Sequence, residues 1–250
     1  MMCRHRPAPL RGGRPAGARV NPLLVVGAIA SALTWAVACS SATAGATGHS
    51  VTVAQAKTQL LVASDMPKGW STEHGTANTQ NGAYPAGSTY IACLGAAGLP
   101  EAVPPETDTP YFENKDGSEE IQDSISVFKT MNAAQSSFDA LANPSFAACV
   151  TSALNAYLKS DPPKGGTLGT LTVSPPLGTK FGAHTNGYVV ETPITTQGQQ
   201  VVLTATTVFF LRGTLGQQLT FNEYTNSGSS TTFPPAVIRR MIAVAERKGA

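Results

Sequence analysis

The residues of this chain able to do chemistry are few and scattered. There are four cysteines, Cys3, Cys39, Cys93 and Cys149. Beyond the N-terminal region the histidines are His49, His74 and His184, each in a Gly-rich or Ser/Thr-rich stretch where a solvated imidazole is the ordinary case. No G-x-S-x-G elbow, H-E-x-x-H pattern or phosphate-binding loop is present. Ser126 and Ser152 have no neighbouring motif that would activate them. Glu119-Glu120 reads as a solvated strand edge rather than a general-acid pair. Glu113 to Glu120, "ENKDGSEE", gathers oxygen ligands without the spacing of a calcium loop and reads as a turn. The expectation is therefore no catalytic residue, no metal and no cofactor. What chemistry there is belongs to sulfur.

Cys39 is preceded by three zones. Arg4, His5, Arg6, Arg11, Arg14 and Arg19 form a basic flank without an acid. Leu23 to Ala38 is apolar and uncharged, and Ala36-Val37-Ala38 is a small-residue exit. These are the parts of a secretory signal, with the arginines held on the cytoplasmic side. The stretch resembles a bacterial lipobox, in which the cysteine is acylated through its sulfur and becomes the first residue. Ala36 departs from the Leu or Val usual at its position, and the long basic leader allows for a later true start. The alternative is an uncleaved signal anchor, although the run is near the lower limit of about 17 residues for a span. Either way the remainder lies outside the cytoplasmic membrane. The reading is a signal peptide over 1–38, a lipidated Cys39 with a Ser/Thr/Ala/Gly tether over 39–52, and one domain over 53–250.

Processing changes the charge. Of seventeen Lys and Arg, five lie in the leader, where no acid does, which leaves twelve bases against fifteen acids. A mildly acidic domain does not read as a nucleic-acid binder. Roughly 200 residues suffice for one core. With Cys3 lost and Cys39 acylated, Cys93 and Cys149 remain as an even pair in an oxidising compartment, which predicts a disulfide. Such a bridge would stabilise the fold by about 4 kcal/mol in the chain-entropy picture. The alternative is two separate buried thiols.

The elements that must position these residues follow from periodicity. Thr52-x-x-Gln55 is a capping box that opens a helix from Val53 to about Val62, with Ala56 and Leu60 inward, stopped by Pro67 and Gly69. Ser71 to Gly117 reads as long loops with short elements, including an apolar island, "YIACLGAAGLP", around Cys93. "EEIQDSISVFKT" is a strand with Ile125 and Val127 on one face and Phe128 on the other. Two helices follow. Asn132-x-x-Gln135 caps the first; Asn143 caps the second, with Pro144 in its first turn. Phe146, Cys149, Val150, Ala153, Leu154, Tyr157 and Leu158 make the second one's apolar stripe. Four strand-like runs come next: "TLGTLTV", "NGYVVETPI", "QQVVLTATTVFFLR" and "QQLTFNEYT". The third is apolar on both faces and so central. Gln197-Gly198 and Gly213 to Gly216 make hairpin connections. A helix opened by Pro234 and Pro235 closes the chain. The fold class expected is α+β: a twisted antiparallel sheet of about five strands with helices packed on one face and one disulfide.

Helix plus "LVASDMPKGW", then "CLG", "SISVFKT", an Ala-rich helix and a helix bearing the second cysteine resembles actinobacterial extracytoplasmic lipoproteins. The layout is similar to the sensor-type domain found outside the membrane in mycobacterial PknH-like serine/threonine kinases and in free lipoproteins. The resemblance implies a sheet and helices that form a groove for a ligand. No kinase domain accompanies it, so signalling would need a partner. Trp70, Tyr188 and Tyr224 are the aromatic candidates for lining such a groove, with core packing as the alternative role for each. The expectation is a non-enzymatic binding or sensor domain, held to the membrane by its lipid, facing an envelope ligand or protein partner. The rivals are a lipid carrier with an apolar cavity and an envelope hydrolase.

Overall fold

The computed structural model describes residues 51–72, 106–160, 166–196, 199–226 and 233–249. The leader, Cys39, the tether up to residue 50 with His49, His74, Cys93 with its apolar island, and Gln197-Gly198 lie outside the described residues.

Helix α1, Val53–Lys57, is shorter than its sequence signal but is capped as expected. Thr52 accepts from the Gln55 amide, and Gln55 reaches back to the Thr52 amide. The chain then turns through a single 3-10 turn, Ala63–Asp65. Nine strands follow in one sheet: β1 Ser71–Thr72, β2 Glu106–Asp108, β3 Phe112–Glu113, β4 Glu119–Val127, β5 Gly166–Leu168, β6 Thr172–Val173, β7 Thr185–Thr196, β8 Gln199–Arg212 and β9 Leu215–Asn226. Helices α2, Met131–Leu141, and α3, Pro144–Ser160, separate β4 from β5, and α4, Pro235–Lys248, comes last. Thr130 rather than Asn132 caps α2, by accepting from the Ala133 amide. Asn143 accepts from the Ser145 amide at the start of α3, as its position predicts.

The sheet runs β1-β3-β4-β9-β8-β7-β5, with β2 also on β4 and β6 also on β7, and all pairs are antiparallel. The expected meander is present in β7, β8 and β9, and β8 is interior. Gly213 makes the β8–β9 turn at φ 61°, a conformation glycine adopts without strain.

Two parts of the expected architecture are overturned. Among the described residues the sheet has nine strands, not about five. The additional ones are two- and three-residue pieces, β1, β2 and β3, in the region read as loop, and "TLGTLTV" splits into β5 and β6. Pieces this short carry no measurable alternation; β2, β3, β5 and β6 pair because β4 and β7 offer free edges, and β1 adds on to β3. The helices also occupy both faces of the sheet. Helices α2 and α3 bury Ala134, Leu141, Phe146 and Val150 against Tyr188, Val190, Ala205 and Phe209 on one face. On the other face α4 buries Ile238, Met241, Ile242 and Ala245 against Ile121, Val208, Phe210, Leu219 and Phe221. Ala56 and Leu60 join that second face beside Ile125 and Leu215. A central strand that is apolar on both faces requires cover on both.

The one-disulfide part of the expectation finds no cysteine pair among the described residues. Cys149 is the only described cysteine; it packs partly buried against the α2–α3 core, and its sulfur is bonded in a disulfide. Cys93 lies outside the described residues, as does the inward placement of the Ala153, Leu154, Tyr157 and Leu158 side chains. No helix among the described residues is long and apolar enough to cross a membrane.

Candidate functional site

Cross-strand partners share a face of the sheet, so the register places every strand side chain. On the α2–α3 face, Ser124 pairs with Gln218, Gln122 with Thr220 and Glu120 with Asn222. Across β9, Gln218 pairs with Phe209, Thr220 with Thr207, Asn222 with Ala205 and Tyr224 with Leu203. Thr207 in turn pairs with Tyr188. This face therefore has two halves. Over β7 and β8 it is apolar and carries the two helices. Over β4 and β9 it is polar, and of its side chains only Tyr224 belongs to an apolar cluster.

The polar half is nonetheless buried: Glu120, Ser126, Thr220, Asn222 and Gln218 are each at most 2% exposed. Glu120 is held at one end. Its Oε2 accepts from the Tyr224 hydroxyl at 3.1 Å and from Asn222 Nδ2 at 3.3 Å. Gln218 Nε2 donates to Thr220 Oγ1 at 3.2 Å. On this half Gln218 Oε1, Asn222 Oδ1 and the Ser126 hydroxyl are buried without a hydrogen bond; so are the hydroxyls of Thr207 and Tyr188 on the neighbouring β8 and β7, and those of Thr204 and Thr225 on the opposite face. Burial pushes the Tyr188 phenol above its ordinary range, so it is a neutral hydroxyl.

At one end the polar half runs into a pocket of about 250 Å³. Its lining is Tyr224, Ile194, Val201 and Asn226 from the sheet, with Asp116, Gly117 and Ser118 from the β3–β4 turn. The turn is built by Asn114, which accepts from the Ser118 and Glu119 amides, and by Asp116, which accepts from Ser118. Those Ser118 hydrogen bonds hold the Asp116 carboxyl below the usual range. "ENKDGSEE" is therefore a hairpin turn, and no group of three or more His, Cys, Asp or Glu able to hold a metal exists among the described residues.

The three aromatic candidates separate. Tyr224 lines the pocket, and Tyr188 stands on the same face with its ring against Phe146, centroids 5.2 Å apart. Trp70 is on the opposite face, packed with Phe233 at 6.2 Å, and is a core residue. His184 is exposed in the turn before β7. Glu120, read as a solvated edge, is buried instead. The sequence reading missed Gln218, Asn222 and Thr207. The signal lay in "QQLTFNEYT", where Gln218, Thr220, Asn222 and Tyr224 alternate with Leu219 and Phe221; such a face reads as solvent-facing until something covers it.

A second polar cluster lies on the other face. Asp123 is buried; its carboxylate accepts from the Leu61 amide at 2.8 Å and from Gln217 Nε2 at 2.8 and 2.9 Å. Arg212 Nη2 donates to Gln217 Oε1 at 2.6 Å. Burial pushes the Asp123 carboxyl up to about 7. Its partners tie the N-terminal segment to β4 and β9.

No protein-family model matches the chain, and no curated protein matches its sequence significantly.

Proposed function

We propose that this chain is a membrane-anchored lipoprotein of the cell envelope, acylated at Cys39, whose folded part is a non-enzymatic ligand-binding or sensor-type domain. The leader and small-residue exit support the anchor, and the order of motifs shared with PknH-like sensor domains supports the domain type. The observation that carries binding is the polar half-face. Each unpaired buried polar group costs about 1–3 kcal/mol. Three stand on this half-face, Gln218, Asn222 and Ser126, a cost to set against the roughly 5–15 kcal/mol by which an ordinary domain is stable. Such groups are retained where an occupant satisfies them. A face lined by amides and hydroxyls suits a polar ligand better than an acyl chain, which favours the binder over the lipid carrier.

Two measurements test this reading. Full-length chain expressed in a bacterium and fed radiolabelled palmitate is expected to take up label, and Cys39→Ser to take up none. Unlabelled wild-type chain recovered whole from the cytosol contradicts the anchor. Native mass spectrometry of the detergent-extracted chain is expected to show a non-covalent polar small molecule. Bound acyl lipid would point to the carrier.

A further inference from the structure

The charges of the folded part are not spread evenly. One layer covers the second face of the sheet: residues 51–70, the turn Gly178–Phe181 and α4. It carries seven Lys and Arg against two acids, whereas the other described residues hold four bases against ten acids. Within the layer Lys248 is paired with Asp65 at 2.6 Å, and Asp108 of β2 feels the Lys57 charge. Lys57, Lys68, Lys180, Arg239, Arg240 and Arg247 are all exposed. Lys248–Asp65 is the only ion pair among the described residues, so none of these six has a carboxylate at ion-pair distance there.

Helix α4 organises the group. Its buried stripe is Ile238, Met241, Ile242 and Ala245. At 3.6 residues per turn the opposite stripe is Ala236, Arg239, Arg240, Ala243, Glu246 and Arg247. Three guanidinium groups therefore project away from the sheet, with two alanines and a single acid among them. Arg239 Nη2 donates to the Lys180 carbonyl at 3.4 Å, which brings that lysine's turn beside them. The stripe has no large apolar side chain to insert into hydrocarbon. It suits an anionic surface met from outside.

The position of the chain's N-terminal end says which surface is at hand. The described chain begins at Val51, directly before the Thr52 cap of α1, in this same layer. Cys39 lies twelve residues earlier. A flexible linker of that length has a mean span of roughly 20 Å. An acyl group on Cys39 therefore keeps the basic layer within reach of a bilayer. Contact at that range is intramolecular and needs no tight affinity of its own. Each Lys or Arg near an anionic bilayer strengthens the contact about fivefold.

We propose that the outer surface of α1 and α4 docks on the anionic phospholipid headgroups of the membrane that holds the lipid anchor, through Arg239, Arg240 and Arg247 with Lys57, Lys68 and Lys180. The proposal rests on the lipid-anchor reading and adds which face of the domain meets the bilayer. The α2–α3 face, with the pocket beside Tyr224, is then turned away from the membrane.

The test is a lysine footprint. The purified, detergent-held chain is reconstituted into vesicles of phosphatidylcholine, alone or mixed with phosphatidylglycerol, and briefly acetylated, and peptide mass spectrometry reads each lysine. Lys57, Lys68 and Lys180 are expected to react at least about fivefold more slowly in the mixed vesicles. The exposed Lys115, Lys129 and Lys159, outside the layer, should keep their rates. High salt should abolish the difference. So should Arg239→Gln, Arg240→Gln and Arg247→Gln combined, changes confined to an exposed stripe. Equal rates in both vesicles, or protection of Lys115, Lys129 and Lys159 instead, overturn the docking surface; with palmitate uptake they leave the anchor standing. Protection by soluble polyglutamate but not by phosphatidylglycerol assigns the face to an acidic protein and overturns the lipid. Protection of Lys57, Lys68 and Lys180 in a chain that takes up no palmitate overturns the anchor and keeps the surface.

Discussion

Asp123 is the residue at which burial and ionisation compete most openly. Desolvation raises its carboxyl from 3.8 to about 7, and the Gln217 and Leu61 hydrogen bonds and the Arg212 and Lys248 charges oppose that rise without cancelling it. The folded chain therefore holds this proton more tightly than the unfolded chain. Its contribution to stability is complete below the unfolded value and is lost as pH rises through the folded one. Compared with Asp123→Asn, the wild type is expected to lose stability between about pH 4 and pH 7, at up to about 1.4 kcal/mol per pH unit. Thermal melts by circular dichroism at pH 4, 5, 6 and 7 check this. A stability difference that stays flat, or grows in favour of the wild type with rising pH, contradicts it. Nothing in "EEIQDSIS" singles out Asp123. Its place on the strand alternates with Ser124 and Gln122, and only the chain segment around Leu61, sixty-two residues earlier, makes it interior.

Among the elements, β7 depends on a glycine and α3 on an amide. A Cβ on Gly187 would run into the backbone carbonyl of Thr207 on β8, an atom that cannot rotate away. Gly187→Ala is expected to open the β7–β8 ladder and destabilise the chain by about 3 kcal/mol or more, at the high end for single substitutions, as read by urea unfolding; a change below about 1 kcal/mol would show that the strands slide apart cheaply. Asn155 joins α3 to the approach of β6. Its Nδ2 donates to the Leu171 carbonyl and its Oδ1 accepts from the Leu171 amide, both at 2.9 Å. Asn155→Leu strands both backbone groups of a buried residue and should cost about 2–4 kcal/mol, with Asn155→Gln recovering little because its longer stem misplaces the amide. The helices and long strands were legible because their periods are local: Phe146 and Val150 at helical spacing, Tyr188 and Val190 at strand spacing. The short strands β1 to β3 were not legible, since β2 and β3 exist only through the edge β4 offers and β1 only through β3.

For the molecule as a whole, the two faces divide the work. The α1–α4 face combines an apolar core with the buried Asp123–Gln217–Arg212 cluster and clasps both ends of the described fold. Lys248 pairs with Asp65 at 2.6 Å, and Asp123 holds Leu61. The α2–α3 face combines a dry half with a buried polar half, and Cys149 sits among the helices on the dry side. Peptide mapping without reduction is expected to recover Cys149 joined to Cys93. Reduction should then lower Tm by an amount in keeping with about 4 kcal/mol or less. A Cys149 peptide joined to another cysteine, or a Tm indifferent to reductant, contradicts that pairing. Tyr188 and Tyr224, chosen from sequence merely as aromatics, share the α2–α3 face, whereas Trp70 is separated from them by the full thickness of the sheet.

The sequence by itself determined the capped starts of α1 and α3, the β7–β8–β9 meander, the central place of β8 and the opposed faces of Ile125 and Phe128. These depend on neighbours a few residues apart, and the period of the chain reports them directly. Tertiary structure alone decided that helices cover both faces, that nine strands share one sheet and that Glu120, Gln218 and Asn222 are interior. A polar alternate position has the same spacing whether it faces water or the interior. Only the distant segments packed against it settle which environment it has.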